Sequence, residues 1–82
     1  MKVQALPLAA SRLATKTTPF ALGRTVAVHN STAGSLNVEF YSAASGGAAT
    51  TVAVPAGTIL GVTIADNYIA GSAAGLTMFD GP

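Results

Sequence analysis

Alternating apolar and polar residues predict six short strands from residue 25 onward. The clearest example is the segment LNVEFY, in which Leu36, Val38 and Phe40 would face a core while the intervening residues face solvent. Similar segments follow along the chain, separated by stretches rich in Gly, Ser, Asn and Asp that favour turns. The predicted strands span residues 25–29, 36–41, 50–54, 58–65, 68–70 and 76–79. This spacing is typical of an all-β fold, and we expect a small β-sandwich or jelly-roll-like barrel.

The segment 52–65, VAVPAGTILGVTIA, contains no charged residue and carries apolar residues on both strand faces. Pro55, Ala56 and Gly57 fit a three-residue hairpin turn, because Pro fixes φ at the first position and Gly accepts the left-handed conformation at the last. Such a hairpin would place Val54 opposite Thr58. It predicts a single core face that consists of Val52, Val54, Leu60, Val62 and Ile64.

The opposite face of this predicted hairpin is small and uncharged. Lys or Glu residues normally occupy such a face in a free protein and prevent sheets from associating. We therefore predict that this face is an interface with another subunit. The interface residues would be Thr51, Ala53, Ile59, Gly61 and Thr63.

The first 24 residues differ from the rest in charge and in glycine content. They contain all four basic residues of the chain and none of its three acidic residues, and no glycine precedes Gly23. Pro7 and Pro19 limit any helix to the short stretch between them. We predict an extended basic N-terminal arm over residues 1–24 and a β-sandwich domain over residues 25–82. The arm would contact an acidic partner surface or solvent through Lys2, Arg12, Lys16 and Arg24.

Low charge and small size together favour an oligomer. Charged residues make up 9% of the 82-residue chain, against about 25% in a typical protein. A chain of this length buries only about 60% of its unfolded surface, and the absence of cysteine removes disulfides and thiolate metal sites as sources of stability. We therefore expect a homo-oligomer. No apolar run approaches the roughly 18 residues that span a membrane, so no membrane association is expected.

No group of residues predicts catalysis, cofactor binding or metal binding. His29 is the single histidine, and no partner at a defined spacing makes it the base of a nucleophilic site. The acidic residues form no calcium loop, and the Gly-rich stretch SGG leads into a strand rather than into the helix that a phosphate loop requires. Scattered basic residues with few aromatic neighbours argue against nucleic-acid binding. The sequence thus predicts neither an enzyme nor a cofactor, and no small-molecule substrate.

Two segments carry a family resemblance. NVEFYS, followed by a Gly/Ala loop, and TTVAVPAGTILGVTIADNYIAGSAAGLTMFD combine a strand ending in VPAGT with an apolar strand and a last strand flanked by glycines. This arrangement, over residues 25–79, resembles the small virion proteins of tailed phages and gene transfer agents, in particular the head-spike base and capsid-decoration group. The resemblance implies a non-enzymatic structural subunit that forms a symmetric oligomer on a larger shell. Its implied partners are major capsid, connector or spike proteins, and its implied location is the virion, assembled in the host cytoplasm.

Two other binding roles stay open on the sequence alone. Tyr41, Tyr68 and Phe79 could form an aromatic platform for a glycan, which would make the protein a surface-binding module. Alternatively, the N-terminal arm could complete the sheet of a neighbouring copy, as in a pilus-like subunit. Grouping of the three aromatic side chains would favour the first role, and an unfilled groove that accepts the arm would favour the second.

Overall fold

Eight strands form two antiparallel four-stranded sheets in the computed structural model, which describes residues 4–17, 20–47 and 49–80. In chain order the strands are β1 (Gln4–Leu8), β2 (Leu13–Ala14), β3 (Thr25–Asn30), β4 (Leu36–Tyr41), β5 (Ala49–Val54), β6 (Ile59–Thr63), β7 (Tyr68–Gly71) and β8 (Leu76–Asp80). The β1 sheet has the order β1-β8-β3-β6, and the β2 sheet has the order β2-β7-β4-β5. The predicted all-β class is confirmed, and the described residues do not close into a barrel.

Apolar side chains on the facing sides of the two sheets form the core. In β4, Val38 and Phe40 are fully buried, whereas Asn37, Glu39 and Tyr41 on the other side stay partly exposed, as the alternation predicts. All six predicted strands are present, with ends that differ by at most two residues. The buried cluster comprises Leu8, Phe20, Val26, Val28, Val38, Phe40, Val54, Val62, Ile64, Ile69, Leu76 and Met78.

Residues 1–24 were expected to form an arm outside the sandwich, but their described part contributes a strand to each sheet. β1 pairs antiparallel with β8, so that Leu8 lies opposite Leu76, and β2 pairs with β7 through Leu13 and Ile69. Leu8 is only 2% exposed, because it belongs to the core. Pro7 is tolerated inside β1 since β1 is an edge strand, where a missing N–H breaks no ladder. The described residues therefore form eight strands rather than six, and the strands that precede residue 24 belong to the same two sheets as those that follow it.

The predicted hairpin between residues 50–54 and 58–65 is wrong. β5 pairs with β4 in the β2 sheet, and β6 pairs with β3 in the β1 sheet, so the chain crosses between sheets at this point. The predicted turn itself is present: Gly57 has a φ of 69°, and the Thr58 N–H donates to the Pro55 carbonyl at 3.3 Å. Turn chemistry reverses the chain, but it does not decide which strand the next segment joins.

Asn30 ties this crossing to the end of β3. Its side chain is fully buried, and its Nδ2 donates to the Val54 carbonyl at 2.9 Å. Its backbone N–H donates to the Thr58 carbonyl at 3.0 Å, and its carbonyl accepts from the Gly57 N–H at 2.9 Å. These bonds hold the end of β5 and the start of β6 against β3, which explains why β6 joins the β1 sheet.

Leu60 is the predicted core residue that the structure leaves exposed. Val54, Val62 and Ile64 are buried as predicted, and Val52 packs against the margin of the core. Leu60 lies on the same face of β6 as Val62, yet it is 36% exposed. It lies near the start of β6, and no described strand lies beyond β6 to cover this end.

Candidate functional site

The predicted interface residues are all exposed, but they lie on two different sheets. Thr51 and Ala53 are on the outer face of β5 in the β2 sheet. Ile59, Gly61 and Thr63 are on the outer face of β6 in the β1 sheet. The predicted surface is therefore divided, because β5 and β6 do not pair with each other. Ile59, at 67%, is the most exposed large apolar side chain among those described.

The outer face of the β1 sheet carries no charged side chain among its described residues. Its centre is a row in which Phe79 lies between Ala5 on β1 and Ala27 on β3, and Ala27 lies opposite Gly61. The half-buried Phe79 ring is thus flanked by small residues on either side. We call this surface the uncharged face, and its residues are Ala5, Pro7, Thr25, Ala27, His29, Ile59, Gly61, Thr63, Thr77 and Phe79.

The four basic residues do not form one contact surface in the described part of the chain. Lys2 lies outside the described residues. Arg12 contacts its own chain: Nη1 donates to the carbonyls of Ala43 at 2.9 Å and Gly46 at 2.7 Å. Lys16 is exposed beside a cavity, and the exposed Arg24 directly precedes β3. Arg12 was predicted to contact a partner, but its guanidinium instead ties the segment before β2 to the loop after β4.

Tyr41 and Tyr68 lie opposite each other on the outer face of the β2 sheet. The Arg12 guanidinium covers the Tyr41 ring, with its carbon 3.4 Å from the ring centroid. The Tyr41 hydroxyl donates to Glu39 Oε1 at 3.0 Å. Phe79 is on the uncharged face of the other sheet, so the predicted group of three aromatic residues is reduced to a tyrosine pair. All three rings are half-buried rather than fully enclosed.

A cavity of about 330 Å³ opens beside Tyr68 on this outer face. Lys16 follows β2, while Ser42 and Asn67 stand at the end of β4 and the start of β7. Thr15 fixes the cavity wall, because its N–H and its hydroxyl both donate to the Asn67 carbonyl, at 2.8 and 3.1 Å. Sequence patterns could not reveal this site, since its residues come from three separate segments. The cavity is lined by Ala14, Lys16, Ser42, Asn67 and Tyr68.

The described residues opposite His29 on the neighbouring strands include no carboxylate. They are Ile59 and Thr77. Within residues 4–17, 20–47 and 49–80, no three His, Cys, Asp or Glu side chains are grouped so that they could hold a metal ion.

The described residues also include no helix with the length and apolar character needed to cross a membrane. Comparison with protein-family models, with characterised proteins and with solved structures gave no match.

Proposed function

We propose that this chain is a non-enzymatic structural protein of a phage virion, a capsid decoration, vertex or spike-base subunit that assembles as a symmetric homo-oligomer through its uncharged face. The observation that carries the proposal is that the described side chains on the outer face of the β1 sheet include no charged group. Charged side chains normally occupy an exposed sheet face and keep free proteins apart. A subunit whose face is covered in an assembly has no such requirement.

The strand pairing supports a jelly roll as the architecture of this subunit. β1 pairs with β8, β2 with β7, β3 with β6, and β4 with β5. Each pair encloses the next, as in one long hairpin whose turn lies between β4 and β5. Two further pairings, β3 with β8 and β4 with β7, roll this hairpin into two sheets. Eight-stranded jelly rolls are common in viral capsid proteins and in lectins. The pairing therefore favours two of the three roles that the sequence suggested, the virion subunit and the glycan-binding module.

The uncharged face forms part of one broad side of the molecule, which measures 32 × 30 × 16 Å. An interface of standard size, with roughly 800 Å² buried on each partner, would also include residues around this face. Ile59 stands out from this side, while Gly61 leaves the surface beside it flat. An exposed apolar residue beside a flat, uncharged surface is suited to close packing against another subunit.

Paired lysine substitutions on the two sheets test this assignment. Ile59→Lys places a charge on the uncharged face, and we expect it to dissociate the oligomer, because the ammonium would be desolvated without a partner. Thr51→Lys is the matched control, since Thr51 is an exposed strand residue on the outer face of the β2 sheet. Size-exclusion chromatography with light scattering measures the mass, and circular dichroism verifies the β-fold. Dissociation by both variants, or by neither, would contradict assembly through the uncharged face.

A glycan-recognition module is the second candidate, favoured by the tyrosine pair beside the cavity on the β2 sheet. Tyr68 lies opposite Tyr41 and lines the cavity, and its half-buried ring offers an aromatic surface to a ligand. A pilus-like role would require residues 1–24 to leave their own fold. That role is less favoured, because β1 lies against β8 of its own chain and Leu8 belongs to its own core.

A further inference from the structure

Four polar side chains reach the cavity on the β2 sheet with unused hydrogen-bonding capacity. Lys16, Ser42, Asn67 and Tyr68 line the cavity, and none of their side chains forms a hydrogen bond or ion pair with another described residue. Lys16 is also the sole charged side chain among the residues lining this cavity. Convergent polar groups around one concave site are the usual feature of a small-ligand site.

The two adjacent tyrosines differ in the contacts that their side chains make within the chain. Tyr41 already contacts its own chain, since Arg12 lies over its ring and Glu39 accepts its hydroxyl hydrogen. Tyr68 directly faces Tyr41 across β4 and β7, but its side chain lies at the cavity. Of the pair, Tyr68 is the one whose ring and hydroxyl can contact a ligand.

Hydrogen bonds from backbone and side-chain groups fix the wall that presents these groups. Thr15 donates two hydrogen bonds to the Asn67 carbonyl, and Ala14 pairs with Tyr68 in the β2 sheet. The Asp66 carboxylate accepts from the Asn67 N–H at 2.8 Å and is not among the cavity-lining residues. A site held in place before binding loses little entropy when the ligand arrives.

We propose that this cavity binds one unit of an acidic saccharide. An aromatic ring offers an apolar face to the C–H side of a sugar ring, and Tyr68 supplies it. The Asn67 amide and the Ser42 hydroxyl would bond sugar hydroxyl groups, while the Lys16 ammonium would bond the carboxylate. The volume of about 330 Å³ lies at the lower end of the range for small-ligand sites, which suits a single unit. The site is independent of the proposed assembly, because it lies on the other sheet.

Titration with D-glucuronate, monitored by ¹H–¹⁵N NMR of the full chain, tests the proposal. We expect saturable shifts centred on the amides of Ser42, Asn67 and Tyr68. Methyl glucoside should bind more weakly because it lacks the carboxylate, and acetate should bind more weakly because it lacks the ring. No saturable shift at these amides, or equal affinity for glucuronate and either comparison ligand, would overturn the proposal.

Two pairs of variants assign the roles of the side chains. Lys16→Ala should weaken glucuronate binding by about fivefold, whereas Arg24→Ala, which removes a charge outside the cavity lining, should leave it unchanged. Tyr68→Ala should abolish the shifts, and Tyr68→Phe should retain them because the ring remains. The dispersion of the NMR spectrum verifies folding of each variant. Equal weakening by Lys16→Ala and Arg24→Ala would show general charge attraction and would refute the site.

Discussion

Asn30 illustrates how one buried polar residue determines the route of the chain. Its Nδ2 donates to the carbonyls of Gly34 and Val54 at 2.8 and 2.9 Å. Its Oδ1 accepts from the Thr32 N–H at 2.9 Å and from the Thr32 hydroxyl at 2.6 Å. All the hydrogen-bonding capacity of the amide is thus used inside the protein, where an unmatched polar group would be costly.

Replacing this amide with a carboxylate should destabilise the protein. Asn30→Asp loses both donors and turns a charge toward two carbonyl oxygens, so we expect the free energy of unfolding to fall by at least about 2 kcal/mol. Asn37→Asp is the control: Asn37 is a half-buried residue on the outer face of β4, and it should change stability by less than about 1 kcal/mol. Urea denaturation at neutral pH measures both values. Equal losses in the two variants would contradict the role given to Asn30.

At the residue scale, the sequence predicted which side chains are exposed better than it predicted which residues lie on the same sheet. The alternation around Val38 and Val62 correctly predicted their burial, because side-chain direction along a strand depends only on local geometry. It also predicted that Thr51 and Ile59 are exposed. It could not place these two on separate sheets, since that depends on which strands pair.

The strand β1 shows at the element scale why the N-terminal segment was misassigned. The sequence predicted an extended segment there but gave no partner strand for it, and the two-residue β2 is too short for any pattern to show. Both segments become strands because β8 and β7 offer them a free edge and the core accepts Leu8. These are long-range causes, and a local sequence pattern does not contain them.

A matched pair of leucine substitutions tests whether β1 is part of the fold. Leu8→Ala should lower the free energy of unfolding by about 2–5 kcal/mol, because it leaves a cavity in the core. Leu22→Ala makes the same change in the same N-terminal segment, but Leu22 is 54% exposed, so its effect should stay within about 0.5 kcal/mol. Thermal unfolding measured for both variants checks the difference. A negligible effect of Leu8→Ala would mean that residues 1–24 act as a detached arm.

The whole molecule combines a predictable fold class with a less predictable surface. Short alternating strands and turn residues were sufficient to predict an all-β fold, which the structure forms as two antiparallel sheets. The uncharged face was anticipated in part through Ile59, Gly61 and Thr63. Its central row around Phe79 became visible only once β1, β8, β3 and β6 were placed side by side. The cavity beside Tyr68 likewise requires three distant segments to meet.

Assembly through the uncharged face is the central claim, and the molar mass of the unmodified protein tests it most directly. The single chain has a mass of 8.1 kDa. We expect light scattering at low micromolar concentration to give a single species whose mass is a small multiple of that value, twofold or more. The reason is that the uncharged face would be covered by another subunit rather than by solvent. A well-folded species at the mass of one chain, with the circular dichroism of a β-protein, would contradict the claim.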